Sequence, residues 1–579
     1  MLRVLLATTL LATPALAQEA ADAVAPEGAT AGLTPEAAAP VTSQDWMVAA
    51  ANPLAAEAGA RVLREGGSAA DAMVAVQAVL GLVEPQSSGL GGGAFLVYYD
   101  AATGTLTTLD GRETAPMAAT PKLFLTEDGE RMGFWDAVVG GLSVGTPGTP
   151  MLMEEAHRRW GTASWSGLFD DAIGLAEDGF PTSLRLAMAV TGDAERLSVH
   201  PETAAYFLPG GTPLQKGETL RNPAYADTLR AMAEQGADAL YEGEIAEGIV
   251  AAVRGAAQPG LLSLEDLAAY KVVEREAVCA PYHGAEVCGM GPPSSGALTV
   301  GQILAMLDRY DLAALGPDSP EAWRLIGDAS RLAFADRGLY MADSDFVPMP
   351  DLLDEAYLAG RAVLLSGDMA LESVEPGTPP WDHAALDLAP GLDLSLPSTS
   401  HISIVDADGN ALSMTTTIEN GFGSRVWAPG GFLLNNELTD FSFATHDDGR
   451  PVANRVEPGK RPRSSMAPTI VMRDGAPVLV IGSPGGSRII GYVAQAIVAH
   501  MDWGMDPQAA VSMPHLVNRF GTYDLEEGTA AAALAPDLEA LGYEVNVRGL
   551  NSGLHAIAVT PDGLIGGADP RREGVAIGE

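Results

Sequence analysis

The chain of 579 residues is poor in positive charge, with 33 lysines and arginines against 75 aspartates and glutamates and a formal net charge of −42. Such a surface repels phosphate backbones and anionic lipid headgroups, which argues against nucleic-acid and membrane-surface binding. It reads instead as an acidic shell for solubility in a salty or extracytoplasmic setting. Beyond the first residues no charge-free apolar stretch is long enough to span a bilayer, and no internal repeat of fixed period is present. A phosphate loop is also missing. The glycines of Gly89–Gly93 are followed by no Gly-Lys-Ser/Thr and lead from helix to strand, the reverse of the nucleotide-binding order, so they read as a backbone-packing feature. Cysteine is nearly absent. Cys279 and Cys288 flank APYHGAEV, where His283-Gly284 can turn a short hairpin and bring them side by side, as a disulfide by first choice or as two buried thiols. Either way their role is structural, and the pair fits an oxidising compartment.

What is present begins with MLRVLLATTLLATPALAQ, in which a single arginine, the apolar run Val4–Ala12 and the small-residue site Ala15-Leu16-Ala17 mark a secretory signal peptide cut after Ala17. Residues 18–42, rich in Ala, Glu, Pro and Thr without periodicity, read as a disordered lead-in. Ser68 is the expected N-cap of a helix running to Val83 and stopped by Pro85, after which Gly89–Gly93 turns the chain into a strand over Ala94–Tyr99. Residues 145–380 alternate helical segments, such as Met151–Arg159, Ser166–Glu177, Ala224–Gln235 and Thr299–Asp308, with short loops. Beyond Ser398 the pattern becomes strand-turn-strand, with Asp-Gly turns at 408–409, 474–475 and 562–563. The whole reads as an α+β protein with helices over antiparallel strands.

The richest stretch is residues 398–423. His401–Val405 and Ala411–Ile418 flank Asp408-Gly409, the signature of a hairpin with a type I′ turn, and Thr399 stands at the exposed start of the first strand. A threonine hydroxyl is a poor nucleophile unless a base takes its proton, and one solution is to cut the preceding bond so that the threonine's own α-amine serves. Downstream follow GFLLNNELTDFS at 431–442, GKRPRSSMAPTIVMRDG at 459–475, GSPGGSRII at 482–490 and GGADPRR at 566–572. Upstream lie MVAAANPLAAEAGARVLREGGSAADAMVAVQA at 47–78, PQSSGLGGGAFLVYYD at 85–100 and LDGRETAP at 109–116. In this order and spacing the segments resemble the γ-glutamyltranspeptidase family of N-terminal nucleophile hydrolases, over nearly all of the mature chain.

That resemblance implies a four-layer αββα sandwich without metal or organic cofactor. A precursor would be cut at Ser398–Thr399 into a large subunit, 43–398, and a small subunit, 399–579, that stay together as a heterodimer. Thr399 matches the nucleophile and Thr417 the threonine that hydrogen-bonds it. Gly485 and Gly486 match the oxyanion-hole turn. Arg112, Ser464 and Ser465 match the residues that hold the α-carboxylate of a γ-glutamyl group, and Glu437 and Asp440 those that hold its α-amine. Donors would be glutathione-like amides, acceptors water or amino acids and peptides, and the location secreted, periplasmic in the first instance. A glutaryl-type cephalosporin acylase on the same fold is the nearest alternative. A binding protein for γ-glutamyl compounds, uncleaved, is another, disfavoured because a pure binder needs no nucleophile.

Two positions depart from the family pattern. Glu419 stands where better-known members carry an asparagine, so a third carboxylate joins Glu437 and Asp440, and like charges so close raise one member's pKa. The segment FSFATHDDGRPVANRVEPGKRPR, between Asp440 and Ser464, is somewhat shorter than in relatives that use it as a lid and has no aromatic after Phe443. It would admit water to the pocket more easily.

Overall fold

A computed structural model describes residues 39–381, 386–391 and 398–579. The expected signal peptide and most of the lead-in lie outside the described residues. In chain order the strands of the two large sheets are β1 (Val41–Ser43), β2 (Met47–Ala50), β3 (Gly93–Asp100), β4 (Thr105–Gly111), β5 (Val273–Arg275), β6 (Ala277–Tyr282), β7 (Ala285–Met290), β8 (Thr399–Val405), β9 (Ala411–Thr417), β10 (Thr469–Arg473), β11 (Ala476–Gly482), β12 (His555–Thr560), β13 (Gly563–Ala568) and β14 (Val575–Gly578). One sheet runs β1-β13-β12-β11-β10-β7-β6 and the other β14-β2-β8-β9-β3-β4-β5, every pair antiparallel. Each sheet takes strands from both sides of Ser398–Thr399, so a cut there would leave two pieces joined by backbone ladders.

The sheets pack face to face through Met47, Val97, Val405, Ile470, Val480 and Ile557. Helices α1 (Pro53–Arg64), α2 (Ala69–Val83) and α3 (Thr149–Trp160) cover the outer face of the second sheet over Ile402, Ile404, Leu412 and Met414. The other outer face, with Val471, Leu479 and Ile481, lies under α4 (Gly296–Leu307), α5 (Pro320–Tyr340) and α6 (Ile489–Met501). This is the four-layer αββα sandwich expected. No helix among the described residues is long and apolar enough to cross a membrane.

Local chemistry explains most of the elements. Helix α2 opens on a capping box, with the Ser68 hydroxyl accepting from Asp71 N–H and the Asp71 carboxylate accepting from Ser68 N–H. Its small residues are all buried and let it lie flush on the sheet. Gly91 and Gly92 are needed for close approach, since a Cβ would lie 2.1 Å from the Leu433 carbonyl oxygen and 2.0 Å from that of Thr417. His283-Gly284 does turn a hairpin that sets Cys279 opposite Cys288, and the two form a disulfide.

Three expectations are corrected. Val41 and Thr42, assigned to the lead-in, belong to β1 and pair with Gly566 and Ile565. The turn between β8 and β9 is longer than type I′. Val405 pairs with Ala411, Gly409 N–H bonds to the Asp406 carbonyl, and only Gly409 of the pair Asp408-Gly409 has positive φ, because the Asp406 carboxylate accepts from the N–H groups of Asp408 and Asn410 and stabilises a wider loop. Finally, Thr399 starts an internal strand as expected but is buried rather than exposed, at 4 % relative accessibility.

Candidate active site

At one end of the sandwich the beginnings of β3 and β8 meet the ends of β4 and β9, and loops from the other sheet fold over them. Alternation along β8 places Thr399, His401 and Ser403 on the face toward the other sheet, with Ile402 and Ile404 against the helices. Thr399 pairs with Thr417 in register, and the two hydroxyl oxygens are 3.1 Å apart. Thr417 Oγ1 also donates to the carbonyl of Ser398 at 2.9 Å and accepts from Glu419 N–H at 2.9 Å. With its proton committed to that carbonyl, Thr417 takes the Thr399 proton as acceptor.

The bond before Thr399 is gripped on both sides. Ser398 Oγ donates to the Gln86 carbonyl at 2.6 Å, Ser400 Oγ to Glu84 at 3.3 Å, and Arg572 donates to the Thr399 carbonyl at 2.9 Å. Arg185 joins Glu84 and Ser87 beneath them. Arg572 closes the GGADPRR motif without having been given a role, and Arg185 has no local signal, because both reach the site through tertiary contacts.

Thr399 and Thr417 share one pocket with Arg112, Glu419, Glu437, Asp440, Ser464, Ser465, Met466, Gly486 and Ile489. Gly485 sits behind Gly486 with φ 136°, against the Tyr492 ring. The Gly486–Arg488 turn runs straight into α6, which aims the positive end of a helix dipole at the pocket. The assigned residues are thus brought together, with one difference from the sequence assignment. Arg112 is engaged with the acids, bonding Glu437 through Nη1 and Asp440 through Nη2 at 2.5 Å, all three buried. Burial, above all, pushes the Glu437 carboxyl up to about 7, with Arg112 opposing and Asp440 adding to the rise.

Ser465 Oγ accepts from Arg337 at 2.7 Å, and the same guanidinium donates to Ser295 Oγ at 2.8 Å. With that lone pair occupied, the Ser465 proton is left for an incoming carboxylate. Arg337 lies on α5 and was not legible from the sequence. Glu113, next to Arg112 in the motif, is likewise buried, beside Glu437. Glu419 has φ 74°, a conformation uncommon outside glycine, and its carboxylate accepts from Asn436 Nδ2.

The segment after Asp440 is tied at its ends. Asn454 donates to the Asp440 carbonyl at 2.7 Å and accepts from Arg463 N–H at 2.9 Å. Phe443 stacks on Phe124 at 4.5 Å, and a small hairpin, His446–Asp447 with Arg450–Pro451, stands at the surface.

The chain is 38% identical to a glutathione hydrolase proenzyme of Bacillus subtilis over 549 residues, 92% of each protein. It is 36% identical to the acylase ACY 1 proenzyme of a Pseudomonas strain over 539 residues, 91% of this chain and 92% of that one. Among solved structures, a cephalosporin acylase from Bacillus halodurans superposes with a TM-score of 0.83 at 27% identity, covering 94% of this chain and 98% of that one. A family model described as gamma-glutamyltranspeptidase matches residues 55–579, from α1 to the last residue. A threonine pair at the head of the central hairpin, set in a sandwich of this topology and matched over that length, places the chain in the γ-glutamyltranspeptidase family.

Proposed function

We propose that this protein is a secreted, periplasmic γ-glutamyl hydrolase or transpeptidase that cuts itself at Ser398–Thr399 and then works through a γ-glutamyl ester on Thr399. In maturation the Thr399 oxygen bonds to the Ser398 carbonyl carbon, its proton passes to the leaving amide nitrogen, and the C–N bond breaks to give an ester. Water hydrolyses that ester, leaving a Ser398 carboxylate and a free Thr399 α-amine. The contact from Thr417 to the Ser398 carbonyl supports this order, because it polarises the carbon to be attacked while Thr417 Oγ1 receives the attacking hydroxyl's hydrogen bond. In turnover the α-amine takes the hydroxyl proton, the γ-carbonyl is attacked, and the N–H groups of Gly485 and Gly486 with the helix terminus behind them stabilise the oxyanion, a donor being worth about 3 kcal/mol. Water, or the amine of an amino acid or peptide, then takes the γ-glutamyl group.

The observation that carries the substrate assignment is the charged floor of the pocket. Arg112 with Ser464 and Ser465 suits an α-carboxylate, and Glu437 and Asp440 suit an α-ammonium, as the zwitterionic head of a γ-glutamyl group requires. Arg112 occupies the acids until that head arrives. The second reading, a cephalosporin acylase taking glutaryl groups, draws on the likeness to the two acylases. A glutaryl chain has no ammonium, and its binding would leave two buried carboxylates unpaired. The γ-glutamyl anilide should therefore be cleaved about 100-fold faster than the glutaryl anilide in kcat/KM, the equivalent of a few kcal/mol. Equal values would transfer the assignment to the acylase reading.

A further inference from the structure

We propose that Arg572 is a positioning residue of the mature enzyme, holding the Thr399 carbonyl and keeping the freed α-amine of Thr399 neutral, in the form that takes a proton from the hydroxyl. The inference rests on the function proposed above, since the amine exists only after the cut. Arg572 Nη1 donates to the Thr399 carbonyl at 2.9 Å, and both residues are buried. The arginine thus meets the backbone of Thr399, whereas the hydroxyl pairs with Thr417 on the pocket side. In a strand the N and the carbonyl oxygen of one residue leave the same edge, as the exchanged bonds of an antiparallel ladder require. The guanidinium therefore lies on the edge from which the α-amine projects once the Ser398–Thr399 bond is gone. A protonated amine there would be a second buried cation beside the first, and like charges disfavour the charged form.

The approach of the arginine is built into the fold. β2 pairs with Ile402–Val405 of β8, so Thr399 lies past the end of that ladder, and Arg572 stands just ahead of β14, the strand on the other side of β2. Arg572 Nε donates to Asn551 Oδ1 at 3.4 Å. At Gly553, with φ 90°, a Cβ would lie 2.6 Å from Arg572 Cδ and 2.9 Å from Pro484 Cγ, so the glycine makes room for the arginine beside the turn that carries Gly485 and Gly486. The other charged groups around Thr399 have partners of their own. Glu84 pairs with Arg185 at 3.2 Å and accepts from Ser400, Glu437 and Asp440 bond Arg112, and Glu419 accepts from Asn436. Two buried histidines complete the surroundings. His401, on β8, bonds Thr415 and Ser403, and burial pushes it well below its ordinary range. His555, from β12, is pushed down to about 4 by burial above all, with Asp569 opposing and Arg572 adding to the fall. Both rings are therefore neutral at the pH where an α-amine titrates.

The test reads kcat against pH at saturating γ-glutamyl anilide, because kcat reports groups in the loaded enzyme while the titration of Glu437 acts on KM. An ordinary α-amine titrates at about 7.7–8.0. Wild-type kcat should hold through pH 7 and decline only about 1.5 units below the ordinary range. Arg572→Gln keeps a donor for the carbonyl but not the charge, and its decline should move up by about 1.5 units, to the ordinary range. Arg572→Lys keeps the charge, and its decline should stay within about 0.5 unit of wild type. An arginine with a merely structural role would lower kcat at every pH without moving the decline. A glutamine variant whose profile has the wild-type midpoint, or a lysine variant that follows glutamine, would therefore overturn the proposal. So would a wild-type kcat that already falls through about 7.7–8.0, a result that needs no variant. A glutamine variant that is folded but uncut would show that Arg572 acts before the amine exists, and it too would overturn the proposal. If N-terminal sequencing of wild type finds no piece beginning at Thr399, the function reading fails first; if it does and the profiles superpose, this inference alone fails.

Discussion

The two halves of the active site are built from opposite materials. On the pocket side of Thr399 the parts are neutral: two hydroxyls, backbone carbonyls and N–H groups, and glycines, all set by strand register and the turn before α6. The same pocket is lined by Arg112, Glu437, Asp440 and Glu419, which with Glu113 form a buried cluster of ionisable groups held by 3₁₀ and loop backbone. Bond making needs atoms fixed to a fraction of an ångström, and a ladder of strand hydrogen bonds provides that without charge to desolvate. Selection of a zwitterion needs charge, whose desolvation cost is offset only when all partners are present. Chemistry and recognition should therefore fail separately.

The largest effect is expected from the neutral half. Thr399→Ala should remain one chain on a denaturing gel and lose about 10⁴-fold or more in turnover, since the proposed maturation and the proposed catalysis use the same oxygen. Wild type should show two pieces, the smaller beginning at Thr399 by N-terminal sequencing. A wild-type protein that stays a single active chain would remove the mechanism altogether.

Breaking the charged half should look different. Arg112→Gln leaves Glu437 and Asp440 without their cation, and uncompensated buried charge of this kind costs about 3–5 kcal/mol. We expect normal self-cleavage on the gel but a fall of about 10³-fold in kcat/KM for the γ-glutamyl anilide. If this variant also fails to mature while remaining folded, the two regions are coupled and the separation drawn above is false.

The same division explains how much could be read from the sequence. The hairpin, the capped helix at Ser68 and the glycine turns follow from local rules, namely period-two alternation, N-capping and turn chemistry, whereas the Thr399–Thr417 pairing comes from the motif resemblance and its register from the wider loop at Asp406. The first three are each set by residues within a few positions. The charged half is assembled across the chain: Arg112 meets Glu437 325 positions on, and Arg337 reaches Ser465 128 positions on. Motif resemblance located Arg112, Glu437, Asp440 and the serines, but nothing local told that Arg112 would rest on the acids or that Glu113 lies beneath them. The turn at Asp408-Gly409 departs from type I′ for a local cause, the competing Asp406 carboxylate.

Acid should also separate the halves. Glu437 is pushed up to about 7, so as pH falls through that value the donor's α-ammonium loses a partner and KM should rise with little change in kcat. Under the neutral half, burial pushes His555 down from 6.5 to about 4. A histidine whose folded pKa is depressed contributes stability that is present above the unfolded value and lost as pH falls from 6.5 through about 4. Full burial makes this about 3 kcal/mol. KM should thus climb before the melting temperature drops, and simultaneous changes in pH-dependent kinetics and thermal melts would contradict the assignment.

The smallest effect concerns the residue that touches both halves. Glu419 gives its N–H to Thr417 Oγ1 and its carboxylate to the pocket side, where Asn436 holds it. Glu419→Asn keeps the backbone donor, and asparagine tolerates the positive φ better than glutamate does, so the nucleophile should be unmoved. We expect a rise in KM of about two- to fivefold from the lost carboxylate, with acyl-enzyme breakdown unchanged in burst kinetics. The segment after Asp440 bears on the next step, since its hairpin stands at the surface and Phe443 is spent on Phe124. Water should then reach the proposed ester at Thr399 ahead of most acceptors, and glycylglycine should raise donor turnover less than about twofold. A several-fold acceleration by glycylglycine at mildly alkaline pH, with the γ-glutamyl dipeptide as the main product, would mean that the pocket excludes water after all and that this enzyme is chiefly a transferase.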